Sequence, residues 1–186
     1  MPINLRHISL IIGILTVILS FIFFGRKTGT YDIIIIVGLI ISAISYLMIL
    51  FKNEPVKNKI FWTLVLLIGI GLQWLSEPLL IRLSYYIFIK QNESKFSKIN
   101  ALLLSKKENV SWDQDSVFWK RNGIGVDEGV KIRNLLNDED ILLITKDSSG
   151  IYYNTFRMLD VSHGIFYYYS HNNNQSKKHI TGNWYY

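Results

Sequence analysis

The chain contains no cysteine. Its absence excludes disulfides, thiolate metal sites, a cysteine nucleophile and a cysteine-borne lipid anchor, and it is compatible with either side of a membrane. Catalytic signatures are missing too: there is no serine-hydrolase elbow, no His-Glu-x-x-His zinc motif, no phosphate-binding P-loop and no kinase motif. Charge is scarce in the first half. Residues 1–89 hold seven Lys or Arg and three Asp or Glu, against thirteen and eleven in residues 90–186. Most of the net charge of +6 thus lies in short segments beside apolar runs, where it attracts anionic headgroups. The second half is mixed in sign and has no basic stripe, so nucleic acid is a poor partner for it.

What the first half does contain is Ile, Leu, Phe, Val and Gly in long runs. From Lys90 onward the chain turns to Asn, Ser, Lys, Asp and Tyr. Two solvents are implied, lipid and then water. The expected fold is a membrane protein with three transmembrane α-helices, followed by a small α+β domain with an antiparallel sheet of about four strands. The expected division is residues 1–89 for the spans and 90–186 for the soluble domain on a helical stalk.

The first span covers residues 8–24. Arg6 and His7 precede it as in a secretory signal, but the run ends in Phe23-Phe24-Gly25-Arg26 with no small-x-small cleavage site, so it reads as a retained helix. The second covers residues 33–51, started by Asp32 and ended by Lys52-Asn53. Gly38, Ser42 and Ser45 fall on one face of it, and small residues at that spacing let two helix backbones approach closely in lipid. The third covers residues 60–82 and can continue to 89 or beyond, with a polar break at Ser76-Glu77-Pro78. Gln73, Glu77 and Arg82 are its candidate intramembrane polar seam, since ionisable groups inside a span are costly and often functional. The competing account ends the span near Trp74 and makes Glu77 and Arg82 interfacial.

Arg6, Lys52, Lys57 and Lys59 lie at one end of such a bundle, and Arg26 and Lys27 at the other. Positive charge marks the cytoplasmic side, which favours a cytoplasmic N-terminus and an extracytoplasmic C-terminal domain in the plasma (inner) membrane. Arg82, Lys90, Lys95 and Lys98 pull the other way.

In the polar half, residues 91–105 carry a helical stripe of Phe96, Ile99, Leu102 and Leu103, and a short helix is expected over 127–137 with Asp127 as its N-cap. Residues 109–125 look irregular. Strands are expected at 141–146, 151–158, 165–170 and 180–186, joined by turns such as Asp147-Ser148-Ser149-Gly150. Tyr152, Tyr167, Tyr169 and Trp184 are the candidate exposed aromatic face, suited to a protein, a glycan or a membrane surface.

Three motifs carry less. Gly123-Ile124-Gly125 lacks both the preceding buried strand and the spacing of a dinucleotide loop. His163, His171 and His179 recur every eight residues with Asp160 nearby, but each sits in or beside a turn, which does not make a metal site. The triplets beginning at Asn92, Asn109 and Asn174 are glycosylation sequons that matter only in a glycosylating host. No cofactor is implied. The functional expectation is a non-enzymatic integral membrane protein presenting a small C-terminal binding domain, with a protein partner or a second copy as its companion. The alternative is a subunit or assembly factor of a larger membrane complex or transporter. A membrane enzyme using Glu77 and Arg82 ranks third.

Overall fold

A computed structural model describes residues 4–24, 30–107, 109–114, 123–136, 141–158, 161–169 and 177–186. The chain divides into two units, and the division falls inside one helix, between Ser84 and Tyr85.

The first unit is helical. Helix α1 spans Leu5–Ser20 and closes with a 3-10 turn, Phe21–Phe23; α2 spans Thr30–Phe51; α3 spans Val56–Gln91. Three helices among the described residues are long and apolar enough to cross a membrane. At 1.5 Å per residue the 36 residues of α3 extend about 54 Å, well beyond a hydrocarbon core of ~30 Å. The helix passes through Pro78 without ending, so the polar break at Glu77-Pro78 does not terminate it.

Polarity in this unit is inside-out relative to a water-soluble bundle. The buried residues of α1 are His7, Leu10, Gly13, Val17 and Ser20, and those of α2 are Gly38, Ser42, Ser45 and Ile49. Outward-facing positions are Ile, Leu, Val, Phe and Met, up to Leu75 and Trp74 on α3. Lipid tails are as apolar as leucine, so in a bilayer hydrophobic burial would give such helices little drive to associate, and close backbone packing would have to supply it. The contact shows that packing. A Cβ on Gly38 would meet Val17 Cγ2 at 2.8 Å and Val17 N at 3.0 Å, and one on Gly13 would collide with the Ser42 side chain. Gly69 of α3 receives Ile14 Cγ2 in the same way, at 2.7 Å from where its Cβ would stand. Three hydroxyls of these helices bond back to their own backbone: Ser9 Oγ donates to Leu5 O (2.9 Å), Thr16 Oγ1 to Ile12 O (2.8 Å) and Thr63 Oγ1 to Lys59 O (2.8 Å).

The second unit is α+β. After a break at Asn92, α4 spans Glu93–Leu104, so the expected single helix over 91–105 begins two residues late; Asn92 turns out of helical geometry (φ −110°, ψ 13°) and bonds back to Phe88 O. Strand β1 is Val110–Asp113, α5 is Val126–Leu135, and β2 to β6 are Leu143–Lys146, Gly150–Met158, Val161–Tyr168, His179–Thr181 and Trp184–Tyr185. All pairings are antiparallel, in the order β1-β2-β3-β4-β6-β5.

The sheet therefore has about six strands rather than about four. One extra strand, β1, lies in the segment read as irregular. Its four residues alternate correctly (Val110 and Trp112 buried, Ser111 and Asp113 half-buried) but are too few to signal a strand alone. The other arises because the expected last strand reverses at Gly182, whose φ of +51° is a left-handed conformation natural to glycine. The helix over 126–135 is capped by Gly125 rather than Asp127: Glu128 Oε2 accepts from the Gly125 N–H (2.9 Å).

Register sets the two faces of the sheet. Tyr153 lies opposite Ile144 and Ile165, and Ile144 opposite Trp112, so these share one face. Phe96, Ile99 and Leu103 of α4 and Ile132 of α5 are buried there, with the Trp112 indole donating to Gly129 O at 3.1 Å.

Candidate functional site

The four candidate aromatics do not form one surface. Tyr152 stands opposite Phe166, and Phe166 opposite Tyr185, which puts Tyr152 on the face away from α4. Tyr167 stands opposite Ile151 and Trp184, on the helix-covered face. Tyr169 follows the end of β4, and its hydroxyl donates to Gly150 O (3.2 Å). Burial, then the Asp147 carboxylate, pushes that hydroxyl up to about 12, so it stays a neutral donor. The Asp147 carboxyl is itself held below its ordinary value, chiefly by the Ser149 hydroxyl (2.6 Å).

Tyr167 and Trp184 instead line a cleft of about 330 Å³ beside α4, with Phe96, Ser97, Asn100, Leu104, Ala101, Ile89 and Glu93. Its aromatic wall is continuous: the Trp184 ring lies 5.1 Å from Phe96, 5.1 Å from Tyr167 and 5.6 Å from Tyr153. The polar groups come from one face of α4, where Glu93, Ser97, Asn100 and Ala101 recur at helical spacing. Asn100 Oδ1 accepts the Tyr153 hydroxyl at 2.6 Å. Burial raises that phenol well above its usual value, with Tyr169 and Tyr167 adding to the effect, so the bond has a fixed direction. With its oxygen engaged, Asn100 has its Nδ2 donors to offer. Glu93 is half paired with Lys90 (3.1 Å) at the exposed end. Flat apolar walls with one carboxylate, one hydroxyl and one amide suit a polar ligand with apolar ring faces.

The opposite face of the sheet carries a second aromatic row. Ring centroids run Tyr152 to Phe166 at 4.6 Å, Phe166 to Tyr168 at 5.5 Å and Tyr168 to Tyr185 at 5.1 Å. Lys177 Nζ sits 2.9 Å from the Phe166 centroid, and burial brings its ammonium down to about 8 against the opposing pull of Asp147.

Within the helical unit, Gly38 packs against Val17 and Ser42 against Gly13 of α1, and Ser45, on the same face, is buried. The small-residue face is thus occupied inside the chain. Gln73 lines a mostly apolar cavity of about 290 Å³ with Ser42, Tyr46 and Gly69 among its walls. Glu77 is half-buried and lies near Tyr31 at the start of α2, whereas Arg82 is exposed. Gln73 and Glu77 are four residues apart on α3, and so share a side of it, while Arg82 is five residues beyond Glu77 on the same helix.

Sequence reasoning missed one cluster. Arg6 and Glu54 form a buried ion pair, with side chains 8% and 9% exposed. His7, 1% exposed, stacks on Trp62 at 4.3 Å with ring planes 7° apart; its Nδ1 accepts from the Asn4 N–H (3.2 Å) and its Nε2 lies 3.7 Å from Glu54 Oε1. Beneath them Leu10, Ile49 and Trp62 close the core. The available signal was a lone acid, Glu54, among the lysines of a loop that must face the chain's first turn in any three-span bundle.

His163 lies in β4 and His179 in β5, where its ring meets Gly182 O at 2.9 Å; His171 and Asp160 lie outside the described residues. Among the described residues no group of three His, Asp or Glu is placed to hold a metal. Comparison with protein-family models, with curated proteins and with solved structures finds no match to this chain.

Proposed function

We propose that the chain is a non-enzymatic integral membrane protein whose C-terminal α+β unit is a binding module, and that its ligand is a short sugar chain held in the cleft beside α4. The observation that supports this most is a cleft of about 330 Å³ in which Trp184 and Tyr167 of the sheet and Glu93, Phe96, Ser97 and Asn100 of α4 are lining residues. Sugar rings present C–H faces to aromatic walls and hydroxyls to such groups. A cleft of this size suits a small ligand better than a protein surface, which needs a much larger contact. Nothing in the reading requires a reaction step.

The binding test is direct. The full-length protein in detergent is titrated with a panel of oligosaccharides, followed by calorimetry. Trp184→Ala is expected to weaken binding about thirtyfold, the ~2 kcal/mol of an aromatic hot spot, and Trp184→Phe to recover most of it. If the wild type binds no member of the panel, or Trp184→Ala binds as well as the wild type, the cleft is not the site.

We also propose the plasma membrane, a cytoplasmic N-terminus and an extracytoplasmic module. The support is the cationic end formed by Arg6, Lys52, Lys57 and Lys59. A reporter that works only in the cytoplasm, fused after Tyr186, should stay silent; activity would reverse the orientation.

A further inference from the structure

The start of α1 and the end of α2 enclose a groove of about 490 Å³. Its mouth is polar, with Asn4, Arg6, Ser9 and Lys52, and its body is apolar, with Ile44 and Met48 among the lining residues. The mouth lies at the ends of two apolar helices, the depth at which lipid headgroups meet acyl chains. The same end of the unit carries Lys57 and Lys59 and a single acid, Glu54, which Arg6 already pairs. Lys59 Nζ is committed to Leu50 O at 2.6 Å, whereas Lys52 is exposed. Arg6 Nε, on a side chain only 8% exposed, has no hydrogen-bond partner among the described residues.

We infer that this groove is a binding site for one anionic phospholipid, with the headgroup phosphate against Lys52 and the Arg6 edge and an acyl chain along Ile44 and Met48. Two features select this occupant. The excess of cations over acids at the mouth favours a negatively charged headgroup over a zwitterionic one. The apolar length of the groove gives a free anion nothing to fill, while a chain of CH2 groups covers it.

The test uses the full-length protein purified in mild detergent and offered equal amounts of phosphatidylglycerol and phosphatidylcholine, with retained lipid counted by native mass spectrometry. The wild type should retain phosphatidylglycerol in preference. Lys52→Ala should lower that preference about fivefold, whereas Lys57→Ala, outside the groove, should change it less than about twofold. Ile44→Trp, at an outward position that tolerates bulk, should lower retention of both lipids by filling the body of the groove. Equal retention of the two lipids by the wild type would overturn the inference. So would Lys57→Ala acting as strongly as Lys52→Ala, which signifies bulk attraction, or displacement of the lipid by inorganic phosphate, which signifies a headgroup-only anion site.

Discussion

Glu54→Ala should destabilise the helical unit by about 3–5 kcal/mol, because it strands a buried cation. Arg6 loses the one acid at its end of the bundle, and His7 loses the carboxylate 3.7 Å from its Nε2. Neither side chain can turn to water easily, since Arg6 is 8% and His7 1% exposed. The size of the effect reflects the stranded charge and not the worth of the pair itself. A paired double replacement, Arg6→Met with Glu54→Leu, should therefore recover most of the loss, as buried ion pairs are often exchangeable for apolar side chains of similar volume. Unfolding by a denaturing detergent, followed through Trp62 fluorescence against the His7 stack, reads both variants. If Glu54→Ala and the double variant are equally destabilised, packing at this corner matters and charge does not.

Trp112→Ala should cost the α+β unit about 3–5 kcal/mol, in the range for removing a large buried aromatic. Trp112 is 1% exposed and is among the largest fully buried side chains of the chain. It joins elements far apart in sequence: its strand pairs with β2, and its indole N–H holds the carbonyl of Gly129 inside α5. Its loss opens a cavity under α5 and removes one hydrogen bond between that helix and the sheet, leaving the bond from Arg133 to Gln114 O. Trp112→Phe keeps much of the ring and loses the hydrogen bond, and should cost closer to ~1–2 kcal/mol. Thermal melting followed by near-ultraviolet circular dichroism separates the two. A Trp112→Ala protein melting within a degree or two of wild type would mean that α5 is held by other contacts.

The expectations that survived and those that changed divide along a physical line. The apolar runs of the first half stand out because a helix in lipid must satisfy its own backbone over a set length, a requirement met locally, residue by residue. The face of Gly38, Ser42 and Ser45 follows from helical spacing alone, but that it meets Gly13 and Val17 of the same chain rather than a second subunit is a matter of packing. The expected α5 and the expected strands 141–146 and 151–158 lie close to their observed places, because turns such as Asp147–Gly150 bond within four residues: Asp147 Oδ1 accepts the N–H groups of Ser149 (2.7 Å) and Gly150 (3.0 Å). Strand β1 exists only because β2 offers its edge.

The aromatic residues illustrate the same division. Alternation along a strand says that about half of the tyrosines point each way, but not which half meets a helix. Register between strands decides that Tyr167 and Trp184 stand together in the cleft while Tyr152 stands on the other side, and register is a property of pairs of strands. A shift between Asn154 and Phe156 further alters the pattern along β3.

The sequence by itself determined three apolar runs long enough to cross a membrane, their cationic end, the change of composition after residue 89 and the absence of thiol chemistry, since each depends on composition or on spacing within one element. Only the tertiary structure decided which helix Gly38 meets, that Arg6 and Glu54 are buried as a pair, and that Trp184 and Tyr167 wall a cleft. Each of those facts is an encounter between residues distant in the chain, and no local preference specifies the partner.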